Sequence, residues 1–336
     1  MHDVFGDIKS LVRLSDIHTD NNIFRLHYKA TMFVLIVCSL LVTSRQYFGD
    51  PIDCVTSNVD PGLMDTYCWI HSTFTIPSHS GKDDTYHPHP GVGPNHDLVT
   101  KEPLEKKHHK YYQWVFLVLF LQALMFYIPR YFWKVWEGGK IKMLAADLNA
   151  PILDDDLKKD RREIIVRYFN ANIGTHDFYA YKFFFCEALN FINVIIQIFI
   201  TDRFLGGEFM RYGSDVVRIS QEPLGTRNDP MDLLFPKVAK CTFQLYGASG
   251  SVEKHDGLCV LPLNILNEKI FIFIWFWFIV IAVFTALGLL YRLATIFLPS
   301  FRTLLLRTRS QLTSTSNVQD ITKKCRIGDW FLLYHL

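Results

Sequence analysis

Charge is what this sequence has little of. Asp, Glu, Lys and Arg supply 20% of its 336 residues, against about 25% in an ordinary soluble chain. The formal net charge is +2, which gives no electrostatic case for nucleic acid as a partner. No P-loop, nucleophile–base constellation or metal-ligand spacing occurs. The chain is therefore not expected to be an enzyme, and no catalytic residue, cofactor or metal ligand is assigned. N-x-S/T sequons are absent. No small-residue cleavage pattern follows the first apolar segment, so a removed signal peptide is not expected.

Apolar residues are abundant: 49% are hydrophobic and 15% aromatic. The stretch 111–133 reads YYQWVFLVLFLQALMFYIPRYFW. Its first eighteen residues carry no charge. As a helix at about 1.5 Å per residue they nearly cover an apolar bilayer thickness of about 30 Å. Tyr111, Tyr112 and Trp114 at one end, and Tyr127, Tyr131 and Trp133 at the other, read as interfacial aromatic belts. Pro129 is expected to bend or end the helix. Three further segments look alike, and 270–290 is uncharged throughout. The boundaries read 23–44, 111–133, 178–200 and 269–291 for four transmembrane spans. Residues 45–110 and 201–268 form two large loops, 134–177 joins the second span to the third, and 1–22 and 292–336 are terminal segments. Arg25, His27 and Lys29 open the first span and are expected at the interface.

Orientation follows from charge and from cysteine. Residues 1–29, 130–182 and 292–336 hold 21 of the 35 Lys and Arg residues, which places both termini in the cytoplasm. Four of the seven cysteines lie two to a loop, Cys54 and Cys68 in the first and Cys241 and Cys259 in the second. Disulfides persist on the outer side of a plasma membrane. Four cysteines allow three pairings, and spacing does not choose among them.

Several features keep two readings. Lys182, Glu187, Asn190, Asn193 and Gln197 fall within an arc of about 140° on the third span. Such an intramembrane polar stripe marks a pathway or a set of interhelical hydrogen bonds. Residues 2–14 form a short amphipathic helix that lies on the membrane surface or tucks inside an assembly. A second amphipathic helix is expected from Asp154 to Phe169, with Leu157, Ile164, Ile165 and Phe169 facing inward and its Asp triplet capping rather than binding calcium. Seven histidines in the first loop read as a solvated loop rather than a zinc site, because no spacing matches a ligand motif. Thirteen residues separate Cys54 from Cys68, as in Cys-loop receptors, but those have a large domain before their first span. The second loop lacks the CCG of tetraspanins.

The segment YYQWV, Tyr111, Tyr112, Gln113, Trp114 and Val115, resembles the signature of the innexins, the invertebrate gap-junction proteins. The likeness covers almost the whole chain: TDNNIFRLHYK from Thr19, QYFGDPIDC ending at Cys54, YCWIHSTFT from Tyr67, FYIPRYFWKVWEGGK from Phe126 with its Pro129, DPMDLLFPKVAKCTF from Asp229, and IGDWFLLY near the end. It is closest to insect members. Gln244, Leu245 and Ala248 depart from the His, Lys and Pro usual there, and the chain ends at Leu336, where the family continues into a longer tail.

The fold expected is thus an all-α membrane protein, a four-transmembrane-helix bundle with two disulfide-bearing extracellular loops. The resemblance adds a helical cytoplasmic dome. It implies a ring of eight subunits, homo- or hetero-oligomeric with other innexins, set among membrane lipids in the plasma membrane. Two rings would dock through the outer loops, and an undocked ring would serve as a hemichannel. The N-terminal helix would fold into the pore mouth, with His2, Asp3, Gly6 and Ser10 lining it. The bridges would run between loops, Cys54 and Cys68 each pairing with Cys241 or Cys259. The alternative is a non-conducting adhesion or dominant-negative subunit.

Overall fold

The computed structural model describes residues 20–57, 59–79, 89–97, 100–144, 155–219, 230–309 and 315–335. The N-terminal helix expected over 2–14, with His2, Asp3, Gly6 and Ser10, lies outside the described residues, as do His87 and Asp154.

Four helices are long and apolar enough to cross a membrane: Asn22–Phe48, Val115–Glu137, Asp177–Phe204 and Pro262–Phe297. The fourth has 36 residues, about 54 Å of helix, so it continues well beyond an apolar layer of about 30 Å. The first is interrupted by a π-helical segment, Leu26–Thr31, between α-helical Asn22–Arg25 and Met32–Phe48. Asn21 caps its start by accepting the Phe24 N–H at 2.7 Å. In the second helix Pro129 lies inside and does not end it. Termination comes instead at Gly138 and Gly139, both at positive φ, 62° and 79°. The Glu137 carboxylate accepts the N–H groups of Gly139 and Ile141 just beyond.

The all-α expectation is corrected by a five-stranded antiparallel sheet, in order β1-β5-β4-β2-β3. Its strands are β1 (Asp53–Val55), β2 (Thr73–Thr75), β3 (Lys107–His109), β4 (Val238–Tyr246) and β5 (Val252–Val260). The physical signal is in β4, where Ala239, Cys241 and Phe243 alternate inward with a period of two. Gly250, at φ 80°, sits in the turn to β5. The protein remains mostly helical.

The chain divides into two compact units. The first comprises Met1–Ala30, Phe126–Ile192 and Val283–Leu336. Phe24, Trp133, Phe183, Trp330 and Phe331 pack its core. Trp133, expected in an interfacial belt, is buried against Tyr179 and Phe183. The helix Asp155–Asn172 adds Tyr168 and Phe169 to this core from its last turns, while Ile164, expected inside, is exposed. Among the described side chains the helix meets this core through its last turns, and the expected inward face is exposed at Ile164.

The terminal helix Ile327–His335 completes the same core, with Trp330, Phe331 and Leu332 all buried. Its Asp329 is fully buried and accepts from Gly174 N at 2.8 Å and His176 Nδ1 at 2.8 Å. Tyr168 Oη lies 3.0 Å from His176 Nε2. A His176 proton on Nδ1 satisfies both contacts, since Nε2 then accepts from the tyrosine. Gly328 lies so close that an added Cβ would overlap the backbone of His176 and Asp177. Gly328→Ala is expected to cost about 1–3 kcal/mol and to loosen the terminal helix. Limited proteolysis of the C-terminal segment should show faster cleavage than in the unmodified protein.

The second unit comprises Thr31–Met125 and Asn193–Ala282. Its extramembrane core gathers Ile52, Met64, Ala239, Phe243 and Leu261 around four cysteines. In the same unit, Gly213 on helix Phe209–Ile219 meets the Trp275 ring so closely that no Cβ fits between them.

Candidate functional site

Four cysteines organise the segments between spans. Cys54 and Cys259 are direct partners in the register of β1 and β5 and are joined as a disulfide. Cys68, on helix Pro61–His71, is joined to Cys241 on β4. The helix begins at Asp60, whose carboxylate accepts from Leu63 N at 3.1 Å, with Pro61 at its first position. Asp65 on the same helix accepts the Cys54 N–H at 2.7 Å. The Sγ atoms of Cys54, Cys68 and Cys259 lie within 4.8 Å of one another, so the two bridges are packed side by side. All four cysteines are buried. Both bridges join the first loop to the second, and the shared sheet makes the loops one platform.

The YYQWV segment is built into this platform. Tyr111–Gln113 forms a 3-10 turn before the helix that starts at Val115. Tyr111 Oη donates to the Leu234 carbonyl at 3.1 Å, and its ring meets Phe235. Tyr112 is buried against Trp69, centroids 4.9 Å apart, and Gln113 donates to the Trp69 carbonyl. Of the trio expected as an aromatic belt, only Trp114 is exposed. The tyrosines instead fasten the end of the second span to both loops, because each has a packed partner that an interfacial residue would lack.

Two first-loop histidines are also structural, against the expectation of a solvated loop. His79 and His109 are both buried. His109 Nε2 is 2.8 Å from Thr75 Oγ1. Burial, with the charges of Lys107 and His108, pushes its pKa down from 6.5 to about 4. The folded platform thus keeps His109 neutral where the unfolded chain would take up a proton. The stability from this residue is complete above pH 6.5 and is lost as pH falls from there toward 4, at up to about 1.4 kcal/mol per pH unit. Thermal unfolding of the detergent-solubilised protein should show a larger drop between pH 7 and pH 5 than that of His109→Gln.

The polar stripe on the third span is divided, with Lys182, Glu187 and Asn190 in the first unit and Asn193 and Gln197 in the second. In the first unit, Glu187 forms a bidentate pair with Arg292, Nε to Oε2 and Nη2 to Oε1, both at 2.7 Å. Asn21 donates to the same carboxylate at 2.6 Å. Four rings, Phe183, Phe184, Tyr291 and Phe331, lie within 6.0 Å of the guanidinium carbon. Asn190 is buried at a small cavity of about 10 Å³, lined also by Asn21, Glu187 and Thr285. In the second unit, Gln197 donates to Asn193 at 3.2 Å, and Gln122 donates to Thr201 at 2.8 Å. Lys182 alone is left beside aromatic rings. Glu187 is thus held by hydrogen bonds from other helices, whereas Gln197 and Asn193 bond to each other within the third helix.

Sequence reasoning misses Arg292, which by pattern reads only as the start of a basic tail. It also places His27 at the interface. His27 is fully buried, its Nε2 2.8 Å from Thr285 Oγ1, because that hydroxyl and the Phe126 ring supply partners inside. Both residues have partners more than ninety positions away, which no local pattern shows.

Four membrane-length helices, with two connections fused by disulfides into one sheet, define a four-span membrane protein with a cross-linked platform between its spans. The innexin family profile matches residues 20–336. Innexin inx2 of Schistocerca americana is 57% identical over 337 residues, covering 100% of this chain and 93% of that protein. Innexin inx2 of Drosophila melanogaster is 56% identical, covering 100% and 91%, and Innexin shaking-B of the same species is 46% identical, covering 100% and 90%. The chain belongs to the innexin family of plasma-membrane gap-junction subunits.

Proposed function

We propose that the chain assembles with copies of itself or with other innexins into a ring, and that the cross-linked platform is the face on which two rings dock. The observation that carries this is the pair of side-by-side disulfides, each joining one loop to the other. Docking two membranes needs a surface that keeps its shape before contact, and ordering free loops costs roughly 1–2 kcal/mol per residue. Two buried bridges offset part of that cost, each typically about 2–4 kcal/mol.

The platform then lies outside the cell, where disulfides persist. Both termini lie in the cytoplasm, and the region 134–177 joins the C-terminal segment in a helical dome around the inner mouth. The packing of the terminal helix against Tyr179, Phe183 and His176 is in keeping with such a dome. A ring of eight, with the N-terminal helix in its mouth, passes ions and small molecules between cells. Undocked, it is a hemichannel. The residues His2, Asp3, Gly6 and Ser10 then meet the permeating ions.

Injected tracer dye of metabolite size should pass between paired cells that both express the chain. Surface protein in both cells without dye transfer would count against conduction. A C-terminal tag that labels on intact cells would count against the orientation.

A further inference from the structure

Lys182 is the charged member of the polar stripe that hydrogen bonding leaves over. Among the described residues its ammonium makes no hydrogen bond or ion pair. Its neighbours are ring faces: Phe178, with the nitrogen 4.6 Å from the centroid, and Trp136, at 5.9 Å. Phe132 stacks on Trp136 with centroids 5.7 Å apart, and Phe185 lies 6.0 Å from it. These rings are exposed on the single chain, Phe178 at 70% and Phe185 at 52%. Lys182 stands five residues into its helix, about 8 Å along the axis. A cation at that depth, at the end of an apolar span and ringed by exposed aromatics, sits where a bilayer passes from headgroups to acyl chains.

The nearby carboxylates are engaged elsewhere. Glu187 is held by Arg292, and Glu137 caps Gly139 and Ile141. Asp177 accepts from Gly328 N and faces Arg326. Two more lysines at the same helix ends are exposed: Lys134, and Lys140 over the Tyr179 ring. The local charge is positive, and among the described residues no acid faces Lys182.

We propose that Lys182, framed by Trp136 and Phe178, binds the phosphate of an anionic phospholipid headgroup. The ammonium supplies three donors to phosphate oxygens. The exposed rings of Phe178, Phe132 and Phe185 receive the acyl chains, and this apolar flank selects a lipid over free phosphate. A juxtamembrane lysine adds attraction for anionic over zwitterionic lipid.

The test uses the full-length protein reconstituted in vesicles with brominated phosphatidylglycerol or brominated phosphatidylcholine. The difference in fluorescence quenching between the wild type and Trp136→Phe isolates Trp136. The anionic lipid should bind beside Trp136 about fivefold more strongly than phosphatidylcholine. This preference should vanish in Lys182→Gln, survive in Lys182→Arg, and persist in excess inorganic phosphate. Equal quenching by both lipids in the wild type would overturn the proposal, as would an unchanged preference in Lys182→Gln. Relief by inorganic phosphate would show an anion site with no lipid selectivity and would also overturn it. No quenching by either lipid would mean that a neighbouring subunit covers this face, and the proposal would fall. Should Lys182→Gln fail to assemble, the wild-type and Lys182→Arg comparisons still decide.

Discussion

Cys54→Ser is expected to reduce cell-to-cell coupling to background. The substitution removes a bridge that fixes β1 to β5, typically about 2–4 kcal/mol. It also leaves Cys259 as a buried free thiol. That sulfur lies within 4.8 Å of Cys68, close enough to attack the remaining bridge. Attack of the Cys259 thiolate on Cys68 Sγ forms a new disulfide and releases Cys241 as thiolate. The single variant should therefore lose one bridge and scramble the other. Non-reducing peptide mapping should find Cys68 joined to Cys259 in part of the protein. Cys54→Ser with Cys259→Ser removes the attacking thiol, so Cys68 should stay joined to Cys241. Normal coupling in the single variant would show that docking does not need the platform.

The second large effect belongs to the buried pair of Glu187 and Arg292. Both residues are buried, and the pair joins the third span to the fourth while Asn21 adds the start of the first. Removing one partner leaves an uncompensated charge among apolar side chains, at about 3–5 kcal/mol. Arg292→Ala and Glu187→Ala should each lower surface expression severely. Arg292→Lys should recover only part of it, because an ammonium cannot reproduce the two parallel hydrogen bonds or the flat contact with Phe183, Phe184 and Phe331. Arg292→Met combined with Glu187→Gln should recover most, since neither site then carries a charge. Surface biotinylation ranks the four variants. Single variants at wild-type level would mean that water already reaches the pair.

What can be read in the sequence follows from the range of the interactions. The run 270–290 needs no partner to be identified, because length and absence of charge suffice. The expected aromatic belt misleads at Trp133, whose partners Tyr179 and Phe183 lie some fifty residues on. The β4–β5 ribbon does leave a local signal, the alternation of Ala239, Cys241 and Phe243, but so short an alternation is easily lost in a long polar segment between two spans. Glu187 is recognisable as costly inside a membrane, yet its partner is 105 positions away. Spacing does not choose among the disulfide pairings. Likeness to a family restricts them to inter-loop bridges, and the register of Cys54 opposite Cys259 supplies the physical reason for one of them.

Junctional conductance between paired cells that otherwise lack gap junctions tests the channel reading most directly. Pairs in which both cells express this chain alone should conduct, and pairs in which only one does should not, because each ring needs an opposing platform. Absence of conductance in doubly expressing pairs, with the protein present at the contact zone and both disulfides intact, would contradict it.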